Sequence, residues 1–174
     1  MLRILKNSLI KGLQAIPLSV ENSFELREDK TLGVELKKLI SKNFSRSFHI
    51  RYLDSGSCGA CESEVIATTN PIYDLQRFGV DFVASPRHAD ALLVSGPLSK
   101  NMALALKKTY DAMPAPKLVI TIGDCAIDGG KFKNSYYTLG GVKNILPVAA
   151  HIPGCPPKPI AIVRAILKLI NDLN

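Results

Sequence analysis

The chain has 174 residues, 47% hydrophobic and 21% charged, which sets it among globular chains with one main domain rather than disordered or fibrous ones. Its net charge is +7, but lysine and arginine are scattered and aromatic residues make up 6%. Nucleic acid is therefore not expected as a partner, and the basic excess fits a solvated surface or contact with acidic proteins or anionic lipid.

Residues 1–16 place Leu2, Leu5, Leu9, Leu13 and Ile16 three and four apart with Arg3, Lys6 and Lys11 between them. That is an amphipathic helix, suited to a membrane surface or to a protein partner, and Pro17 ends it. Lys6 and Lys11 also break the apolar run a signal peptide needs, and no other run is long enough to cross a bilayer. A cytosolic location is expected. Residues 19–33 are polar and mixed in charge and read as a linker, followed by a short helix over 34–44. Residues 1–46 are expected to form a helical arm, and 47–174 the main domain.

From Phe48 the pattern changes. Short runs rich in valine and isoleucine at 48–53, 81–84, 91–94, 118–122 and 148–152 read as strands. Residues 98–113 and 159–173 read as helices, the first closed by Pro114 and Pro116, the second preceded by Pro156, Pro157 and Pro159. Near-continuous apolar strands alternating with helices predict an α/β fold, a mostly parallel sheet with helices on both faces. In such sheets the functional site lies beyond the carboxyl ends of the strands, near a switch point.

The four cysteines follow that rule. Cys58 and Cys61 lie in Asp54-Ser-Gly-Ser-Cys-Gly-Ala-Cys-Glu-Ser-Glu64, just past the first strand. Cys125 lies in Gly123-Asp-Cys-Ala-Ile-Asp-Gly-Gly130 after the run 118–122, and Cys155 in Pro153-Gly-Cys-Pro-Pro157 after the run 148–152. One sheet edge is expected to gather all four thiols. In a cytosolic chain they are ligands or redox groups rather than disulfides.

Three chemistries compete for them. A thiol–disulfide exchanger would use Cys58-Gly-Ala-Cys61 and leave Cys125 and Cys155 idle. Structural zinc suits four gathered thiolates, but zinc ribbons pair two C-x-x-C knuckles, and here the second pair is two lone cysteines. An iron–sulfur cluster is wider than one ion and takes thiolates from dispersed loops, with glycine-rich surroundings offering backbone amides. The cluster is preferred on these grounds, with zinc and thiol redox both left open.

The chain also resembles the small iron–sulfur subunit shared by membrane-bound [NiFe] hydrogenases of the energy-converting group and respiratory complex I. The matching stretches are Ser85-Pro-Arg-His-Ala-Asp-Ala-Leu-Leu-Val-Ser-Gly96, Tyr110-Asp-Ala-Met-Pro-Ala-Pro116, Gly123-Asp-Cys-Ala-Ile-Asp-Gly-Gly130 and Ile152-Pro-Gly-Cys-Pro-Pro157, within residues 46–169. The resemblance implies a flavodoxin-like fold and one [4Fe–4S] cluster on Cys58, Cys61, Cys125 and Cys155. It implies an electron relay, not catalytic alone, working beside a hydrogenase-like large subunit, ferredoxin-like iron–sulfur subunits and membrane subunits. The subunit would then sit on the cytoplasmic side of the membrane, held peripherally by the complex. Complex I subunits of this type carry adjacent cysteines at the first site, whereas Cys58 and Cys61 are separated by two residues, as in hydrogenase small subunits. An equivalent subunit of a quinone- or sulfur-reducing complex is the alternative.

Among the remaining polar residues, Glu64 matches an acidic position of related hydrogenase subunits. It is a candidate for proton movement where the subunits meet, or simply a helix N-terminal carboxylate. Asp124 beside Cys125 would lower a cluster's potential if ionised, or is an exposed loop aspartate. Arg87 and His88 are candidates for tuning the cluster or lining an interface, with His88 read first as a turn residue.

Overall fold

In the computed structural model, residues 20–173 are described. The helix expected over 1–16 lies outside them. Five strands form one sheet: β1 (Phe48–Asp54), β2 (Val80–Phe82), β3 (Ala91–Ser95), β4 (Leu118–Ile122) and β5 (Ala150–Ile152). Its order is β2-β1-β3-β4-β5 with every neighbouring pair parallel. This is the flavodoxin-like order, whose switch point lies between β1 and β3.

The helices are α1 (Val20–Phe44), α2 (Ala60–Ala67), α3 (Lys100–Asp111), α4 (Asp124–Asp128) and α5 (Pro159–Asp172). Alternation along the strands divides the core in two. Phe48, Ile50, Leu93, Ile120 and Ile122 face α1 and α5, where Leu36, Ile40, Ile162, Ile166 and Ile170 complete one cluster. Leu53, Leu92, Val94 and Val119 face the other way and pack with Leu98, Leu106 and Met113. All five residues of β3 are buried, as expected for a central strand covered on both sides. Two of the helices show the local chemistry that sets them. Ser99 caps α3 by accepting the Met102 N–H, Pro159 opens α5, and α5 repeats its buried residues at helical spacing.

Two sequence readings need correction. The segment 19–33 is not a linker: from Val20 it belongs to one 25-residue helix with the segment 34–44. The stretch contains no proline and is rich in glutamate, lysine, arginine and leucine, all good helix formers. Gly33, inside the expected linker, instead gives clearance, because a Cβ there would fall on the ring of Phe78. The strands expected over 81–84 and 148–152 are also shorter, since Ser85 caps a turn with Pro86 at its start and residues before Ala150 lie outside the ladder.

The second half of α1 is docked on the sheet. Leu36 and Ile40 are buried, and the Asn43 side chain donates to the Ile170 carbonyl at 3.2 Å. Truncating Leu36 to alanine is expected to cost about 2–5 kcal/mol by removing buried methyl groups and leaving a cavity. Val34→Ala, on the half-exposed side of the same helix, is expected to change stability by no more than about 0.5 kcal/mol. Urea unfolding of the two variants checks this, and equal effects would mean that the helix is not docked.

Candidate functional site

Three loops leave the carboxyl edge of the sheet around the switch point, and each carries cysteine. The first follows β1 and is organised by Asp54. Its Oδ1 accepts the N–H groups of Gly56 (2.8 Å) and Ser57 (2.7 Å), and its Oδ2 accepts the Ser57 hydroxyl at 2.9 Å. Ser57 Oγ in turn accepts the Gly59 N–H at 3.0 Å. This is the local side-chain-to-backbone bonding that favours aspartate and serine in turns. Below it, buried Ser55 directs its hydroxyl at the carbonyls of Ser95, Gly96 and Pro97, tying the loop to the end of β3. Cys58 is exposed at the loop's end, and Cys61 sits in the first turn of α2, behind Gly59 with its φ of 84°.

The second loop is the turn from β4 into α4. Gly123 takes a φ of 82°, and a Cβ there would stand 2.6 Å from Cys61 Sγ. The close approach of backbone to sulfur therefore depends on glycine. Cys125 lies in α4, and a Cβ on Gly130 would come within 3.0 Å of its sulfur. The third loop follows β5 and carries exposed Cys155. The two are laced together: Gly123 N–H donates to Ile152 O (2.8 Å), Asp124 N–H to Gly154 O (2.9 Å), and Gly154 N–H to Asp124 Oδ1 (2.8 Å).

The outcome is one cup lined by all four cysteines, with Ser57, Ala60, Gly96, Pro97, Gly123, Asp124, Phe132, Gly154 and Pro156 completing its walls. All four cysteines are free thiols. Burial pushes the Cys61 thiol up to about 11, and the charges of Cys58, Cys125, Cys155 and Asp124 push in the same direction. Burial also raises Cys125, opposed by a backbone hydrogen bond from Lys131. Cys61 and Cys125 are thus held in the protonated form more firmly than ordinary thiols, so a ligand that takes them as thiolates must displace their protons.

The spacing bears on the three chemistries. Among the described residues, no three His, Cys, Asp or Glu side chains come close enough to hold a single metal ion. A zinc site with Zn–S bonds of about 2.3 Å would draw its sulfurs into a tight tetrahedron. Four thiols drawn from three separate segments into one cup, beside glycines that leave room next to two of the sulfurs, suit a cluster with inorganic sulfide. The exchanger reading accounts for two of the four sulfurs in the same cup.

The other candidates fall differently. Glu64 is half-buried on α2, one turn beyond Cys61, and does not line the cup. Asp124 does line it and is exposed, as read, but its carboxylate also holds a backbone amide, which the sequence did not reveal. Arg87 and His88 do not face the cysteines. They lie in the turn before β3, at the opposite edge of the sheet, where Asp90 accepts from Arg46 and from the His49 N–H. A five-residue strand separates the two edges by about 15 Å, so cluster tuning by direct contact is corrected. Tyr52 was missed. Its hydroxyl lies 2.6 Å from Ser95 Oγ, and burial raises it to about 12, with the Ser95 bond opposing and the charges of Asp54, Glu62 and Cys61 adding to the rise.

The comparisons with known proteins place the chain among subunits of oxidoreductase complexes. The family model of the NADH ubiquinone oxidoreductase 20 Kd subunit matches residues 58–169, a span that includes all four cysteines. A probable membrane-bound hydrogenase subunit of Pyrococcus furiosus is 42% identical over 146 residues, covering 84% of this chain and 87% of that one. One component of the F(420)H(2) dehydrogenase of Methanosarcina mazei is 48% identical over 116 residues, covering 67% of this chain and 63% of the other. Among solved structures, a chain of the membrane-bound sulfane sulfur reductase, an archaeal respiratory membrane complex, superposes with a TM-score of 0.66 at 30% identity. That match covers 76% of this chain and 73% of the other.

Proposed function

The chain belongs to the family of the NADH ubiquinone oxidoreductase 20 Kd subunit, and we propose that within an oxidoreductase complex it is the electron-transfer subunit carrying one [4Fe–4S] cluster. Its ligands are Cys58, Cys61, Cys125 and Cys155. The observation that carries this reading is that all four thiols, from three separate loops, line one cup at the switch point. Such a cluster, when bound, supplies one-electron transfer at a potential set by its charge, hydrogen bonds and exposure. The chain's own part is to hold the four sulfurs and to present them at an exposed rim, where Cys58 and Cys155 reach the surface.

The complex proposed is a membrane-bound [NiFe] hydrogenase, with this chain beside the large subunit and exchanging electrons with ferredoxin-like subunits. The similarity to the Pyrococcus hydrogenase subunit and the two-residue gap between Cys58 and Cys61 support it. A second reading, the equivalent subunit of a complex I-like quinone- or sulfur-reducing complex, is favoured by the likeness to the sulfane sulfur reductase chain. Among the described residues no helix is long and apolar enough to cross a membrane, which is compatible with peripheral attachment on the cytoplasmic face through membrane subunits. Residues 47–174 are then the cluster-binding unit and 1–46 an arm whose second half is docked on it. Glu64 is proposed to pass protons at the boundary with the large subunit.

Anaerobic purification followed by iron and sulfide analysis and low-temperature EPR tests the cluster. Four irons and four sulfides per chain, a number set by the cluster type, are expected. Stoichiometric zinc without labile sulfide would overturn the assignment. The large subunit's sequence separates the two complexes: two C-x-x-C pairs for nickel mark a hydrogenase, and their loss marks the alternative.

A further inference from the structure

The loop bearing Cys155 is poor in hydrogen-bond donors. Three of the five residues in Pro153-Gly-Cys-Pro-Pro157 are proline and carry no N–H. Only Gly154 and Cys155 can anchor the loop through a backbone donor. The Gly154 N–H is spent on Asp124 Oδ1, at 2.8 Å and thirty positions away in sequence, and Asp124 returns its own N–H to the Gly154 carbonyl at 2.9 Å. Gly154 adopts a φ of 136°, and a Cβ there would strike Pro157, so the loop is held in a conformation open to glycine alone. Asp124 is the residue immediately before Cys125 and opens α4. One side chain thus bridges the segments that carry two different cysteines.

We propose that the Asp124 carboxylate is a positioning group that sets the Cys155 loop against the Cys125 turn, so that both sulfurs are in place before a cluster binds. This rests on the four-thiolate reading of the cup. Partners that orient a ligand are commonly worth 10–100-fold in metal affinity. The acting atom is an acceptor oxygen, so asparagine, which keeps that oxygen, should substitute for aspartate, and alanine should not.

The test uses the full chain with Asp124→Ala and Asp124→Asn. In the metal-free protein, Gly154 amide exchange followed by mass spectrometry is expected to quicken roughly tenfold or more in D124A and to stay near wild type in D124N. After anaerobic reconstitution with ferrous iron and sulfide, release of iron to a chelator is expected to quicken by about 10-fold in D124A, with D124N again close to wild type. Wild-type exchange of Gly154 in D124A, or equal damage in both variants, would overturn the positioning role. A wild-type chain that binds no iron and sulfide would instead overturn the cluster reading, while the exchange result still decides whether Asp124 holds the loop.

Discussion

Replacing Cys61 with serine is expected to leave a folded chain that no longer holds iron. Cys61 is the most enclosed of the four thiols. It stands in the first turn of α2, beside Gly123, and burial together with the charges of the other three cysteines raises its pKa. Serine is nearly isosteric and the site is half-buried, so the fold should survive, and urea unfolding should confirm a change of no more than about 1 kcal/mol. The loss of a direct ligand should exceed the roughly 10–100-fold in affinity that outer-sphere partners contribute. Iron and sulfide per chain are therefore expected to fall by about tenfold or more, and the low-temperature EPR signal with them. Cys125→Ser and Cys155→Ser are expected to do the same, because all three residues line one cup. That equivalence distinguishes the chemistries. A thiol–disulfide exchanger would depend on Cys58 and Cys61 and would keep its activity without the other two. Iron retained in full by Cys125→Ser or Cys155→Ser would end the four-thiolate proposal.

Much of this site was legible in the sequence because position after a strand is a local property. The run 118–122 is bounded by Lys117 and Gly123, and its five apolar or β-branched residues match Leu118–Ile122 of β4. Once such runs read as parallel strands, any cysteine just past one must lie at the carboxyl edge, and Cys58, Cys125 and Cys155 do. What could not be read were contacts between segments distant in the chain. Asp124 looked like an ordinary loop aspartate because its partner, the Gly154 amide, lies thirty positions away. Arg87 and His88 follow one strand and precede another, and their sequence does not say which edge they occupy; the short ladder of β2 places them at the amino edge. The start of α1 misled for a different reason. A polar, charged stretch without proline serves as a helix as well as a linker, and the choice depended on Leu36 and Ile40 finding a sheet to cover. Asp54 was open to local reading. An aspartate two and three residues before glycine and serine is a turn signal, and its bonds to both amides are short.

The close approach of β3 to the Cys58 loop yields the largest expected loss of stability at the site. Gly96 ends β3 with a φ of 76°, and a Cβ there would fall on the backbone nitrogen of Ser57, with the Ser57 Cα at 2.6 Å. Backbone cannot swing aside as a flexible side chain can, so Gly96→Ala must push the Cys58 loop away from the sheet or unwind the end of β3. Gly59, between the two cysteines, has a similar φ of 84°, but a Cβ there meets nothing within 4 Å. Gly59→Ala therefore carries only the left-handed strain, about 1–2 kcal/mol, whereas Gly96→Ala adds the collision and is expected to cost roughly 3 kcal/mol or more. The paired comparison separates glycine needed for its dihedral from glycine needed for its missing atom. The loop that Gly96→Ala displaces is also the one fastened by Ser55 to the carbonyls of Ser95, Gly96 and Pro97. Iron binding should consequently fall in Gly96→Ala more steeply than in Gly59→Ala. Equal unfolding midpoints and equal iron contents in the two variants would show that the Cys58 loop can move without consequence, and that the sheet edge does not set the width of the cup.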